Sequence, residues 1–141
     1  MEQISLEQLS DDDLLLIDSA PIIYFLEGHP KFGPRFAPLF EAHTQGRFKL
    51  AVTTITVVEV LAGPLRAKAP ALARRYRSVL ESWQTVNLDM EVAEAAARLR
   101  AEFRLKLVDA VQAASARTIG AAALVTHDRD FSRIKSLRII S

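Results

Sequence analysis

Four carboxylates stand where short apolar segments end or helices begin. Asp18 directly follows Leu14-Leu15-Leu16-Ile17, and Glu59 falls early in a helix after the segment Phe48 to Val52. Asp109 opens Ala110 to Thr118, and Asp128 follows Ala122 to Val125 with Thr126 and His127 between. Each acid has an ordinary explanation, because carboxylates at helix N-termini accept from free N–H groups and meet the positive end of the dipole. Thr56-Val57-Val58-Glu59 even has the spacing of a capping box. Capping alone does not require the acids to gather at one edge of a sheet. Carboxylates that gather repel one another, and three or four together need a cation. An all-oxygen donor set selects a hard ion, so Mg²⁺ or Mn²⁺ is the expected cofactor and divalent-metal chemistry the expected use.

Competing chemistries find little support. The chain has no cysteine, and His29, His43 and His127 show no ligand spacing, so zinc is not expected. His127 lies beside the acids, where it either touches a phosphate or is an ordinary surface residue. The chain contains no G-x-x-x-x-G-K-[ST], G-x-G-x-x-G or G-x-S-x-G motif, which argues against nucleotide and serine hydrolases.

The elements that must position the acids follow from apolar patterning. Leu14 to Ile17 reads as a buried strand, with Ser19 as the expected N-cap of a following helix that stops near Gly28 and Pro30. A helix from about Arg35 to Thr44 precedes a strand at Phe48 to Val52. A short helix, Val57 to Ala62, is expected to close at Gly63-Pro64, and Leu65 to Trp83 is helical in pattern with a break at Pro70. Thr85 to Leu88 is a brief strand. Glu91 to Arg104 carries Val92, Ala95, Ala96, Leu99 and Phe103 at helical spacing. After Ala110 to Thr118 come a strand at Ala122 to Val125, a helical turn beyond Asp128, and a last strand at Leu137 to Ile140. Strands alternating with helices predict an α/β fold with a central parallel sheet flanked by helices on both faces. In such sheets the functional crevice lies beyond the carboxyl ends of the strands, where Asp18 falls.

A chain of 141 residues, half of them hydrophobic, is long enough for one domain over 1–141 with its core at about 14–140. No apolar run approaches the ~20 residues of a membrane span. Without a secretory signal pattern or cysteine, a cytoplasmic location is expected. The net charge of +1 hides an asymmetry: residues 1–63 carry −5 and residues 64–141 carry +6. A basic half suits a polyanion, and solvated helix faces equally carry such arginines. Arg104 and Lys106, close in sequence to Asp109, are the leading candidates for phosphate contacts. Arg66, Lys68, Arg74, Arg75 and Arg77 either border a groove for such a polyanion or solubilise a helix.

Taken together, Leu-Leu-Ile-Asp18-Ser19, Thr56-x-x-Glu59-Val-Leu, Leu105-Lys-Leu-Val-Asp109-Ala110 and Leu124-Val-Thr126-His-Asp128-Arg-Asp130-Phe131 resemble the motifs of PIN-domain nucleases, especially VapC-like toxins of toxin–antitoxin modules. The resemblance runs from about Leu14 to Ile140. It implies that Asp18, Glu59, Asp109 and Asp128 form the catalytic acid site, with Asp18, Asp109 and Asp128 holding metal, Thr126 supporting them and Asp130 able to exchange roles with Asp128. It further implies a Mg²⁺- or Mn²⁺-dependent endoribonuclease leaving 5′-phosphate and 3′-hydroxyl ends, a cognate antitoxin, and a homodimer with Leu65 to Trp83 as the interface. Two positions depart from the family pattern: Ala20-Pro21 stands where a polar residue often follows the first acid, and Val108 where proline often precedes the third. A housekeeping PIN nuclease of RNA processing and a catalytically silent binding module of the same fold are the rival readings.

Overall fold

A computed structural model describes residues 2–141. Six parallel strands form one sheet in the order β1-β6-β5-β2-β3-β4: β1 (Glu2–Gln3), β2 (Leu14–Ile17), β3 (Lys49–Thr53), β4 (Gln84–Val86), β5 (Ala123–Val125) and β6 (Arg138–Ile140). Parallel neighbours need crossovers, and six helices supply them: α1 (Ser19–Glu27), α2 (Gly33–Thr44), α3 (Thr54–Arg66), α4 (Pro70–Glu81), α5 (Met90–Phe103) and α6 (Leu107–Thr118). The side-chain period of two sends β2 residues to opposite faces. Leu15 and Ile17 join one core with Ile22, Phe36, Phe40, Val60 and Leu80, while Leu16 joins the other with Val92, Leu99, Val111, Leu124 and Ile139. Both faces are covered, as the continuous apolar run of β2 predicted.

Several boundaries differ from expectation for identifiable reasons. The N-cap of α1 is Asp18, whose Oδ1 accepts from the Ser19 backbone N–H at 2.9 Å; Ser19 is already helical. Helix α3 starts at Thr54 and runs through Gly63 and Pro64 to Arg66 instead of stopping at Ala62. Pro64 is buried one turn beyond buried Val60, so packing on that face outweighs the hydrogen bond that proline removes. The chain breaks at 67–69, and Pro70 begins α4 in the first helical position, where its missing N–H costs nothing. Phe48 precedes β3 with φ 63°, a turn conformation that ends in a buried ring. β1, two residues paired with β6, has too little pattern to be read from sequence.

The order places β2 between β3 and β5, with pairing that brings Ile17 opposite Val125. Crossovers from β2 lead to β3 through α1 and α2 on one face, while β5 is reached through α5 and α6 on the other. The gap beyond these adjacent carboxyl ends is the topological switch point of the sheet. Four buried alanines of α6, Ala110, Ala113, Ala114 and Ala116, let that helix lie close to the sheet, with its first turn at the same edge.

Candidate active site

Asp18, Glu59, Asp109 and Asp128 line one cleft of about 330 Å³ at this edge, with Tyr24 and His127 on its wall. Asp18 arrives from the end of β2, Glu59 from the second turn of α3, Asp109 from the first turn of α6, and Asp128 from the loop after β5. The capping account of Glu59 fails: Thr53 caps α3, its hydroxyl accepting from the Thr56 N–H at 3.1 Å, which leaves Glu59 free to project into the cleft. Asp109 does not cap α6 either; the helix begins two residues earlier, behind Lys106.

A buried polar network fixes Asp18. Its Oδ1 accepts from Gln112 Nε2 at 2.9 Å as well as from Ser19 N–H, and its Oδ2 accepts from Thr126 Oγ1 at 2.8 Å. Gln112 is fully buried; its Nε2 also donates to Thr56 Oγ1 at 2.8 Å, and its Oε1 accepts from Thr53 Oγ1 at 2.7 Å. This amide therefore ties the ends of β2 and β3 and the start of α3 to α6. Thr126 Oγ1 accepts in turn from the Asp128 N–H at 3.0 Å, and Asp128 Oδ1 from the Asp130 N–H at 2.8 Å. Sequence reasoning missed Gln112. The available signal was a lone amide within the apolar face of Ala110 to Ala116, since a buried amide must find partners. Tyr24, read only as part of an apolar helix, places its hydroxyl 3.1 Å from His127 Nδ1.

Asp109 is the most strained member. It is 7% exposed, and its Oδ2 is buried with no hydrogen-bond partner. Burial, then the charges of Asp128, Asp18 and Asp130, push its pKa up to about 6, opposed by Lys106. Partial burial and the neighbouring Asp18 also raise Glu59, against a hydrogen bond from the Ser19 side chain. One carboxylate oxygen each from Asp109, Asp128 and Asp130 can lie within 4.8 Å of one another. An unpartnered buried oxygen among converging carboxylates fits a hard divalent cation.

The two basic candidates lie differently. Lys106 Nζ is 3.8 Å from Asp130 Oδ2, at the margin of the acids. Arg104 ends α5 in the left-handed conformation, φ 55°, and lines a separate depression with Ala97, Arg100 and Leu105.

Comparison with known proteins agrees with this architecture. A toxin–antitoxin complex from Klebsiella pneumoniae contains a chain 26% identical, with a TM-score of 0.73, covering 90% of this chain and 96% of that one. VapBC2 from Rickettsia felis, bound to a DNA fragment from its promoter, matches at 18% identity and TM-score 0.72, covering 89% and 96%. VapC20 from Mycobacterium tuberculosis, described as a sarcin-ricin loop cleaving toxin, matches at 15% and 0.69, covering 86% and 95%. At those lower identities the likeness is one of fold. None of the curated proteins matches the sequence. The PIN domain model matches residues 15–137. With nearly its whole length matched by that model and the acids of its four motifs lining one cleft, the chain belongs to the PIN domain family.

Proposed function

We propose that this protein is a divalent-metal-dependent endoribonuclease acting as the toxin of a toxin–antitoxin module. The observation that carries the reading is Asp109: a buried carboxylate with one oxygen unpartnered, held among three other acids in an open cleft. A site so arranged is unfavourable alone and favourable around a cation.

Asp109 and Asp128 would hold the ion, with Asp18 contributing through the lone pair left on Oδ2 and Asp130 adjoining. When bound, Mg²⁺ or Mn²⁺ supplies a lowered water pKa and stabilises charge developing on the phosphate. Gln112 and Thr126 orient Asp18, because both donate to its oxygens. Glu59, its pKa raised by partial burial, accepts the proton of the attacking water. The water oxygen bonds to phosphorus, the bond from phosphorus to the 3′ oxygen breaks, and that oxygen takes a proton from solvent water and leaves as a hydroxyl, giving a 5′-phosphate on the other fragment. Lys106 at the cleft margin, and Arg104 beyond it, are proposed phosphate contacts. The described toxin–antitoxin complexes support an antitoxin as partner. A homodimer is proposed through the segment Leu65 to Trp83, where Leu65 is exposed.

Incubating purified protein with mixed-sequence RNA in Mn²⁺, in Mg²⁺ and in EDTA tests the reading. Cleavage with either metal, 5′-phosphate ends and no cleavage in EDTA are expected. Intact RNA in both metals refutes it. Growth arrest on expression alone, relieved by the neighbouring antitoxin gene, tests the toxin role.

A further inference from the structure

A second recess, about 410 Å³, adjoins the acid cleft and shares His127 and Asp128 with it; Gln3, Arg35, Arg129, Ser132 and Ser141 complete its polar lining. The charge of its lining side chains is opposite to that of the cleft. Arg35 from the first turn of α2 and Arg129 from the loop after β5 both line it, beside His127. Neither arginine forms an ion pair among the described residues. Asp128 is the one acid at the shared edge. The imidazole between the two spaces is fixed by the Tyr24 hydroxyl and by the Phe32 ring, 4.5 Å away centre to centre.

The geometry points to this recess as the site for a backbone phosphate next to the one being cut, with Arg35 and Arg129 as its contacts. The inference rests on the nuclease reading above. A strand whose scissile phosphate lies over the acids must place another phosphate one step along, and the acids repel the strand wherever cations do not offset them. The recess is the polar, cationic space contiguous with the acids, so it supplies affinity while the cleft supplies chemistry. Sequence position pointed to Arg104 and Lys106 instead, because Arg35 and Arg129 are 94 residues apart and only the fold brings them together.

Equilibrium binding of a fluorescent mixed-sequence single-stranded RNA in EDTA, over a range of KCl, tests the inference without cleavage. The R35A/R129A variant should bind about tenfold more weakly at moderate salt, and its salt slope should fall by about 0.7 for each phosphate that is no longer neutralised. K49A/R98A removes the same charge from two exposed positions that line neither space, and should leave both quantities nearly unchanged. Equal weakening in the two variants would mean that net charge alone matters and would overturn the site. Unchanged affinity and slope in R35A/R129A would also overturn it, leaving the recess to an acidic protein partner. Cleavage by the wild-type protein in Mn²⁺ tests the nuclease reading separately: if that fails while the slopes differ as expected, the phosphate site stands and the catalytic assignment falls.

Discussion

Asp109→Asn removes one negative charge from the cleft while keeping the shape of the side chain. In the folded protein the carboxyl pKa rises from 3.8 to about 6. About two units at 1.36 kcal/mol each set a ceiling of roughly 3 kcal/mol on the penalty for ionising Asp109 in the fold. The cleft is open to solvent and ions, so screening reduces this to about 1–2 kcal/mol. Against it stands the favourable position of an acid in the first turn of α6, about 0.3–1 kcal/mol. The net expectation is that the amide variant, in EDTA at pH 8, is more stable by about 1 kcal/mol, near 3–4 °C in Tm for a chain of this size. The sign follows from linkage. Because the folded pKa lies above the unfolded one, the fold favours the protonated acid, and wild-type stability falls as pH rises from about 4 through 6. The advantage of Asn should therefore disappear near pH 4. Mn²⁺ at about a hundred times its Kd should stabilise the wild type by roughly 2.7 kcal/mol and the variant far less. Thermal melts at pH 4 and 8, with EDTA and with Mn²⁺, check all three statements. A variant that melts below wild type at pH 8 in EDTA, with a parallel pH profile, would refute the repulsion argument and leave Asp109 as a helix-terminus acid.

Gln112→Leu keeps the volume but strips Asp18, Thr53 and Thr56 of their shared partner, and should cost about 2–4 kcal/mol in chemical denaturation while weakening Mn²⁺ stabilisation; a cost below about 0.5 kcal/mol would exclude a structural role for the network. Mn²⁺ affinity, followed by thermal shift, should fall as pH drops below about 6, because the proton on Asp109 competes with the ion. Affinity constant from pH 5 to 8 would remove Asp109 from the ligand set. Arg104→Gly relieves a left-handed conformation in a residue with a Cβ and should raise stability by about 1 kcal/mol, measured by urea denaturation, while flattening the salt dependence of RNA binding if Arg104 contacts phosphate.

The amino-acid sequence by itself determined the alternation of elements. The apolar run of Leu14 to Ile17, bounded by polar residues, reads as a strand covered on both faces, and the spacing of Val92, Ala96 and Leu99 as an amphipathic helix, because these patterns are local properties of the chain. It also singled out the four acids, since each stands at the end of a strand or within the first two turns of a helix, or in the loop after a strand. Where α3 ends was not legible: Gly63-Pro64 is a local stop signal, and packing of Val60 and Pro64 against the core overrides it. The polar support of Asp18 was equally hidden. Gln112 stands 94 residues from Asp18 and 59 from Thr53, and no local pattern marks an amide whose partners lie on other elements. The burial of Asp109, its unpartnered oxygen and the meeting of Arg35 with Arg129 beside His127 belong to the tertiary structure alone. Desolvation and charge interaction depend on distances through space, and the chain acquires those distances when β2 and β5 pair and α6 closes over them.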